Sequence, residues 1–308
     1  MYTWRLLQAG MICLDGGSMF GLIPRVVWSK TVSTDSQGRI SVGQNCLLLA
    51  NSAGDHILIE AGSGNKLDAK MRAIFNLGGR TVEEAVGEVA PIKSVTHVLV
   101  THLHFDHAGG LTRLAREGEE PDWIHPTAGL GVVRSFGNAE IIVQHREWRD
   151  AVVNNSVMTR TYLLENLDPL REQLRTVDSP LPFPLGHQPS RDDTPASAVD
   201  ERMTEVLPGI FVFLVPGHTW GQQAVLFTDD QGRTVVFTPD VMPTVDHLGA
   251  AYSLAYDVEP YITMVTKRWF LAAAAKNDWL LVLDHEVKTP IVRVRPDGKG
   301  WYLLVPEV

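Results

Sequence analysis

The segment Thr101-His-Leu-His-Phe-Asp-His-Ala-Gly-Gly110 gathers three imidazoles and one carboxylate within six residues, His102 to His107. Val98, Leu99 and Val100 lead into it with the character of a buried strand. In an extended chain, residues two apart point the same way, so His102, His104 and Asp106 share one side where that strand ends. His107 begins a turn, and Ala108-Gly109-Gly110 lets the backbone tighten. Imidazole nitrogen and carboxylate oxygen are the donors that zinc and similar divalent ions accept. Histidine is scarce here, with 11 in 308 residues, so three in one short window favour a metal site over chance.

One segment cannot complete two metal sites. Three later donors each follow a hydrophobic run: His218 after Ile210 to Val215, Asp240 after Thr234 to Thr238, and His285 after Trp279 to Leu283. Alone, each reads as an ordinary polar residue in a turn at a strand end. In this order, after the first cluster, they read as ligands meeting at one rim.

The elements that must position them follow from periodicity and breakers. Cys46 to Ala50 and His56 to Glu60 read as a hairpin around Asn51 to Asp55. Leu67 to Phe75 and Val82 to Val89 have helical spacing. Val95 to Thr101 and Ile141 to Gln144 read as strands, the latter followed by a helix to Val153. Leu163 to Leu174 reads as a helix interrupted near Asp168-Pro169. Five prolines between Asp178 and Asp200 exclude a regular element there and predict a surface loop or a lid. Strands follow over 210–215, 224–228 and 234–238, then the longest helical pattern over 259–276, and closing strands over 279–283, 291–294 and 301–305. Two runs of strands with accompanying helices predict two sheets packed face to face with helices outside, in one domain of residues 1–308.

Composition bounds the alternatives. Hydrophobic residues are 44% and charged residues 20%, as in folded domains, which excludes a mainly disordered chain. A chain this long buries a large core without a bridge between its two cysteines, Cys13 and Cys46. The net charge of -9 lacks the basic footprint of a nucleic-acid binder. No secretory signal and no apolar run of ~18 residues is visible, so the expectation is a cytoplasmic protein without a membrane span.

These motifs resemble the metallo-β-lactamase-fold hydrolase superfamily. Its H-x-H-x-D-H signature matches His102, His104, Asp106 and His107. Its G-H-T motif matches Gly217-His218-Thr219, its bridging aspartate Asp240, and its last histidine His285. The likeness runs from about Leu47 to His285, and Leu14 to Gly21 is similar to an N-terminal segment of a lactonase-like bacterial branch. The resemblance implies an αββα sandwich with two divalent ions, zinc first, with iron, manganese and cobalt as alternatives. It implies that His102, His104 and His218 hold one ion, that Asp106, His107 and His285 hold the other, and that Asp240 bridges. Four positions depart from the pattern. Glu60 stands for the usual aspartate of Asp-Thr-Gly, Pro239 for the glycine before the bridging aspartate, and Gln222 for a second histidine. Pro243 stands where acyl-homoserine lactonases carry a tyrosine.

Two divalent ions sharing a water bring its pKa toward neutrality and make a hydroxide nucleophile. Asp106 is the residue to pass the proton to the leaving group. No G-x-S-x-G pattern offers a serine nucleophile instead. The expected substrate is a small lactone or carboxylic ester. Phosphoester, thioester and β-lactam hydrolysis on the same site are alternatives, as is a mononuclear iron persulfide-type oxygenase, which the seven-ligand set disfavours. Met19, Phe20 and Trp28 are candidates for an apolar substrate wall or a homodimer contact. His247, Tyr252 and Tyr256 are candidate substrate contacts.

Overall fold

The computed structural model describes residues 1–153 and 160–307. In chain order the strands are β1 (Thr3–Asp15), β2 (Arg39–Ala50), β3 (His56–Ile59), β4 (Val95–Leu99), β5 (Thr112–Leu114), β6 (Trp123–Ile124), β7 (Gly131–Arg134) and β8 (Glu140–Gln144). They continue with β9 (Leu174–Val177), β10 (Thr204–Leu207), β11 (Ile210–Leu214), β12 (Gln223–Thr228), β13 (Thr234–Thr238), β14 (Leu280–Leu283), β15 (Ile291–Pro296) and β16 (Tyr302–Pro306). The helices are α1 (Gly16–Phe20), α2 (Arg25–Trp28), α3 (Ala69–Phe75), α4 (Val82–Gly87), α5 (Phe105–Ala108), α6 (His145–Val153), α7 (Leu164–Leu167) and α8 (Pro260–Lys276). Two compact units divide these elements. One comprises Met1, Cys13–Val42 and Val177–Val308, and the other Tyr2–Ile12 and Gly43–Thr176.

The unit containing Gly43–Thr176 holds most of a six-stranded sheet of order β1-β2-β3-β4-β8-β9 and a small sheet of order β5-β7-β6. Strands β2 and β3 form the expected antiparallel hairpin, while β3, β4 and β8 run parallel. The parallel strands carry short buried apolar runs, Ile57–Ile59, Val98–Leu99 and Ile141–Val143, as strands covered on both faces do. Val98, Val100, Ile141 and Val143 from them share a core with Val82, Ala85 and Val86 of α4. Thr81 and Glu84 form a capping box at the start of α4, which satisfies two of its orphan N–H groups. The strand over Thr3–Asp15 was not foreseen. Leu7 and Ala9 alternate inward around exposed Gln8, a short period-two signal inside a segment that also carries Arg5 and Gly10.

The expected helix over 163–174 is shorter than its pattern. It ends at Leu167, passes through a 3-10 turn over Asp168–Leu170, and gives way to β9 at Leu174. Pro169 has no N–H to continue the α-helical ladder.

The other unit holds a seven-stranded sheet of order β10-β11-β12-β13-β14-β15-β16. Its one parallel pair, β13 with β14, is the one whose connection contains the 17-residue helix α8. Phe213, Phe270 and Trp279 pack with ring centroids 5.7 to 6.3 Å apart. Each such buried ring is worth about 1.5–3 kcal/mol of transfer free energy. Residues 178–200 form no regular element, as their prolines require, and are tied to their own unit by Ser179 to Thr204 at 2.9 Å and Arg268 to Asp192 at 3.1 Å. Cys13 and Cys46 are both free and buried. Among the described residues, no helix is long and apolar enough to cross a membrane.

Helix α8 also carries Lys267, which is fully buried. Its Nζ donates to the carbonyls of His247 at 2.9 Å and Tyr252 at 2.6 Å. Burial pulls its pKa down from 10.5 to about 7, against the opposing pull of the Asp257 carboxylate. The unfolded chain therefore binds one more proton than the folded chain between these two values, and this group's contribution to stability rises with pH across that window. Below about 7 both states are charged and the contribution is flat. In denaturant titrations, the stability difference between the wild type and Lys267→Met is expected to move in favour of the wild type between about pH 7 and about pH 10. A difference independent of pH would show that the buried lysine keeps its ordinary pKa.

Candidate metal centre

Each unit assembles a buried set of imidazoles and carboxylates. In the first, β4 ends at Leu99 and releases the chain so that His102 and His104 follow in extended conformation, with α5 opening at Phe105. The His102 ring lies 4.5 Å from that of His104 and 4.0 Å from that of His107, centroid to centroid. All three rings are buried. The Nδ1 atoms of two of them are held: that of His102 by the Thr101 hydroxyl at 3.1 Å, and that of His107 by Glu60 Oε2 at 3.1 Å. A ligating histidine held at Nδ1 presents Nε2 to its metal, so Nε2 is the nitrogen that these two rings would offer. Asp106 Oδ1 is 3.9 Å from His107 Nε2, and its side chain is 11% exposed, against 2% for His107.

Glu60 accounts for the departure from the usual aspartate. Its backbone adopts φ of 73°, in the left-handed region, and its side chain is buried. Oε1 accepts from the Thr101 N–H at 2.6 Å while Oε2 meets His107. One carboxylate thus joins the start of the histidine segment to its end. Glu147, also fully buried, accepts from the Leu103 N–H at 2.9 Å and from the Tyr162 hydroxyl at 3.1 Å. The Tyr162 ring in turn lies edge-on to His104, 5.3 Å between centroids. Burial, together with the Glu147 charge, pushes the Tyr162 phenol pKa up, so it stays a hydrogen-bond donor.

In the other unit, Asp240 follows β13 and His285 follows β14, as strand-end donors. Asp240 Oδ2 lies 3.0 Å from His218 Nε2, and Oδ1 lies 3.5 Å from His285 Nε2. One carboxylate facing two imidazoles with its two oxygens is the disposition of a bridging ligand. The other nitrogen of His218 meets Asp257 Oδ1 at 2.8 Å. Burial alone would lower the His218 pKa, but Asp240 and Asp257 together raise it to about 10. A pocket that stabilises one positive charge so strongly is suited to a divalent cation. Asp284 adds a carboxylate oxygen within 4.8 Å of the candidate ligand atoms of Asp240 and His285. The donor chemistry of both sets therefore fits metal ions.

Asp257, Asp284, Glu147 and Tyr162 are the site residues that motif reading missed. Asp284 adjoins His285 and was legible as a strand-end carboxylate. The other three lie far in sequence from the groups they hold, and only the fold brings them there. The remaining departures are accommodated. The Pro239 carbonyl accepts from Met242 in the turn after the bridging aspartate, and the Pro243 carbonyl accepts the His285 N–H at 3.1 Å. Gln222 is buried just before β12.

The proposed apolar wall is corrected. Met19, Phe20 and Trp28 are 1–3% exposed. Phe20 stacks on Trp28 at 5.0 Å and on His247 at 4.7 Å, and meets Tyr252 edge-on at 6.1 Å. His247 is no substrate contact either. Its Nδ1 meets the Thr244 hydroxyl and its Nε2 donates to the Met19 carbonyl, both at 2.8 Å. Burial, with Lys267 beside it, lowers its pKa to about 3, which keeps the ring neutral. These side chains pack α1 and α2 onto the loop after β13 and are used up in doing so. Tyr252 and Tyr256 are half-buried, the latter next to Asp257.

Because Asp257 holds His218 by its second nitrogen, Asp257→Asn is expected to weaken zinc binding by about 10–100-fold while the chain stays folded. Competition with a chromophoric chelator measures this, and unchanged affinity would remove Asp257 from the support of the ligand.

Comparison with known proteins bears on this arrangement. The metallo-beta-lactamase superfamily model matches residues 40–134, the stretch from β2 to β7 that carries the first histidine set. No curated protein matches the chain by sequence. Among solved structures, a probable metal-dependent hydrolase from Staphylococcus aureus superposes with a TM-score of 0.78 at 24% identity, covering 100% of this chain and 98% of its own. The hydrolase AbOPH of the beta-lactamase superfamily gives 0.70 at 18%, covering 100% and 94%. AidC, a dizinc quorum-quenching lactonase, gives 0.70 at 16%, covering 100% and 95%. Residues 40–134 thus match the metallo-beta-lactamase superfamily model by sequence, and over its whole length the chain has the fold of these solved hydrolases.

Proposed function

We propose that the protein is a metal-dependent hydrolase of one domain with a dinuclear metal centre. The observation that carries this reading is the pair of carboxylates behind the ligands: Glu60 behind His107 and Asp257 behind His218. Buried imidazoles steered by carboxylates are what a metal site needs, and a purely structural role does not call for them. His102, His104 and His218 take one ion. Asp106, His107 and His285 take the other, with Asp284 beside them and Asp240 shared. Zinc is the first choice, since imidazole and carboxylate donors suit it and the dizinc lactonase AidC shares the fold.

When bound, such ions supply a water deprotonated at neutral pH and polarise the oxygen of the scissile group. The chain's own work is orientation and proton transfer. Glu60 and Asp257 fix two rings through Nδ1. Glu147 sets the backbone at Leu103 between His102 and His104. Asp106, the most exposed of the first donor set, carries a proton on its carboxylate to the leaving oxygen.

The substrate we assign is a lactone or other small carboxylic ester. The net charge of -9 disfavours polyanionic substrates through long-range repulsion. The solved relatives include quorum-quenching lactonases, at 16–19% identity. Pro243 in place of a tyrosine favours broad ester and lactone turnover over a dedicated acyl-homoserine lactone activity.

Elemental analysis of protein purified without stripping is expected to find about two divalent ions per chain, with activity lost on chelation and restored by zinc. On matched panels, lactones and aryl esters are expected to exceed β-lactams and phosphodiesters in kcat/KM. A single iron with no uptake at a second site would overturn the dinuclear reading. A phosphodiester or β-lactam turned over far faster than every ester would overturn the substrate alone. Asp106→Asn, reloaded with metal, is expected to fold normally and lose at least ~10²-fold in turnover. Wild-type turnover in that variant would exclude Asp106 from proton transfer.

A further inference from the structure

Lys66 is a second buried lysine, in the strap that runs from Glu60 at the end of β3 toward α3. Its Nζ donates to the carbonyls of Gly109 and Thr112, the latter at 2.5 Å. The Gly109 carbonyl lies where α5 ends and a 3-10 turn over Gly109–Leu111 begins, and the Thr112 carbonyl lies at the first residue of β5, so Lys66 spans that turn from one end to the other. A cation at a helix end that satisfies the last carbonyls is a capping device, here placed inside the protein.

The strap and the turn touch along their backbones. Ala61 N–H donates to the His107 carbonyl at 3.0 Å, and Gly110 N–H donates to the Gly62 carbonyl at 2.8 Å. A side chain on Gly109 would strike the Ser63 carbonyl, and one on Gly110 the Ala61 carbonyl, so only glycine permits this approach. Burial pulls the Lys66 pKa down to about 7, against the Glu165 charge. Dehydrating an amine is costly, and methionine would fill similar space without that cost. The polar end is therefore kept for the two carbonyls.

His102 and His104 are set by other means, on the strand end and through Glu147. Asp106 and His107 lie in the single turn of α5, whose C-terminal end at Gly109 is bonded by Lys66. We propose that Lys66 is a positioning residue for one ion of the two: by fixing the carbonyls of Gly109 and Thr112 it sets how Asp106 and His107 present their ligand atoms. The proposal rests on the dinuclear reading above.

The test is stepwise zinc competition and the visible spectrum of the cobalt(II) form, on wild type, Lys66→Met and Lys66→Gln. His102→Ala and His107→Ala serve to assign the spectral bands. The expected result is a loss of about 10–100-fold in affinity for the ion whose band His107→Ala removes. The band that His102→Ala removes should keep its position and affinity. The proposal is overturned if a folded Lys66 variant binds both ions as the wild type does, or if both ions weaken equally. It is also overturned if neither variant folds with zinc present, because the lysine would then hold the unit rather than the turn. Wild type that takes up fewer than two ions sinks the dinuclear reading itself, and this proposal with it.

Discussion

An imidazole has two nitrogens, and a ring that offers one to a metal must be held by the other. That constraint organises both donor sets of this protein. Glu60 holds His107, Asp257 holds His218, and the Thr101 hydroxyl holds His102. Each support is buried, so each hydrogen bond acts in a medium of low dielectric where it is stronger and where its loss leaves a polar group stranded. With ring centroids 4.0–4.5 Å apart, the supports at Nδ1 fix the orientation of His102 and His107 within this close cluster.

The same constraint reaches into the backbone. Glu60 can serve both Thr101 and His107 because its residue takes a left-handed φ of 73°, which turns the chain out of β3 and aims the carboxylate across the histidine segment. Such a conformation costs of order 1–3 kcal/mol for a non-glycine residue and survives where its surroundings over-determine it. Here two hydrogen bonds accepted by the carboxylate, and the strap that follows with its close contact to Gly109 and Gly110, do that. The longer side chain of glutamate is part of the solution, because it spans from a displaced backbone to the ring that it must hold.

The aromatic cluster around Phe20 shows the opposite use of chemically suggestive residues. His247 is neutral, stacked within 2° of parallel on Phe20, and bonded at both nitrogens. Its value is to pin α1 to the loop that leads from β13 toward Asp257. Lys267 pins the same loop from α8 through two carbonyls. Residues with catalytic potential thus serve as fasteners around the support of His218, and the reactive groups are those whose environment still lets them meet a cation or a proton acceptor.

Much of this was legible in the sequence. The donors of the first set lie within six residues, and the later ones follow apolar strands, so local spacing marked which side chains could serve as donors and the order of the elements that carry them. Periodicity determined β2 to β4, β11 to β14 and α8, because each buries a face or a run whose pattern is local. The supporting carboxylates are different. Asp257 is 39 residues from His218, and Glu60 is 47 from His107. No spacing rule connects them, because hydrogen bonds between distant segments depend on strand register and loop path. The fate of Met19, Phe20, Trp28 and His247 was equally a tertiary matter. Their types suit a substrate wall and a core alike, and what decided between the two was whether other side chains covered them. The sequence by itself determined which atoms are able to bind a metal. The tertiary structure decided which carboxylates and lysines hold those atoms still.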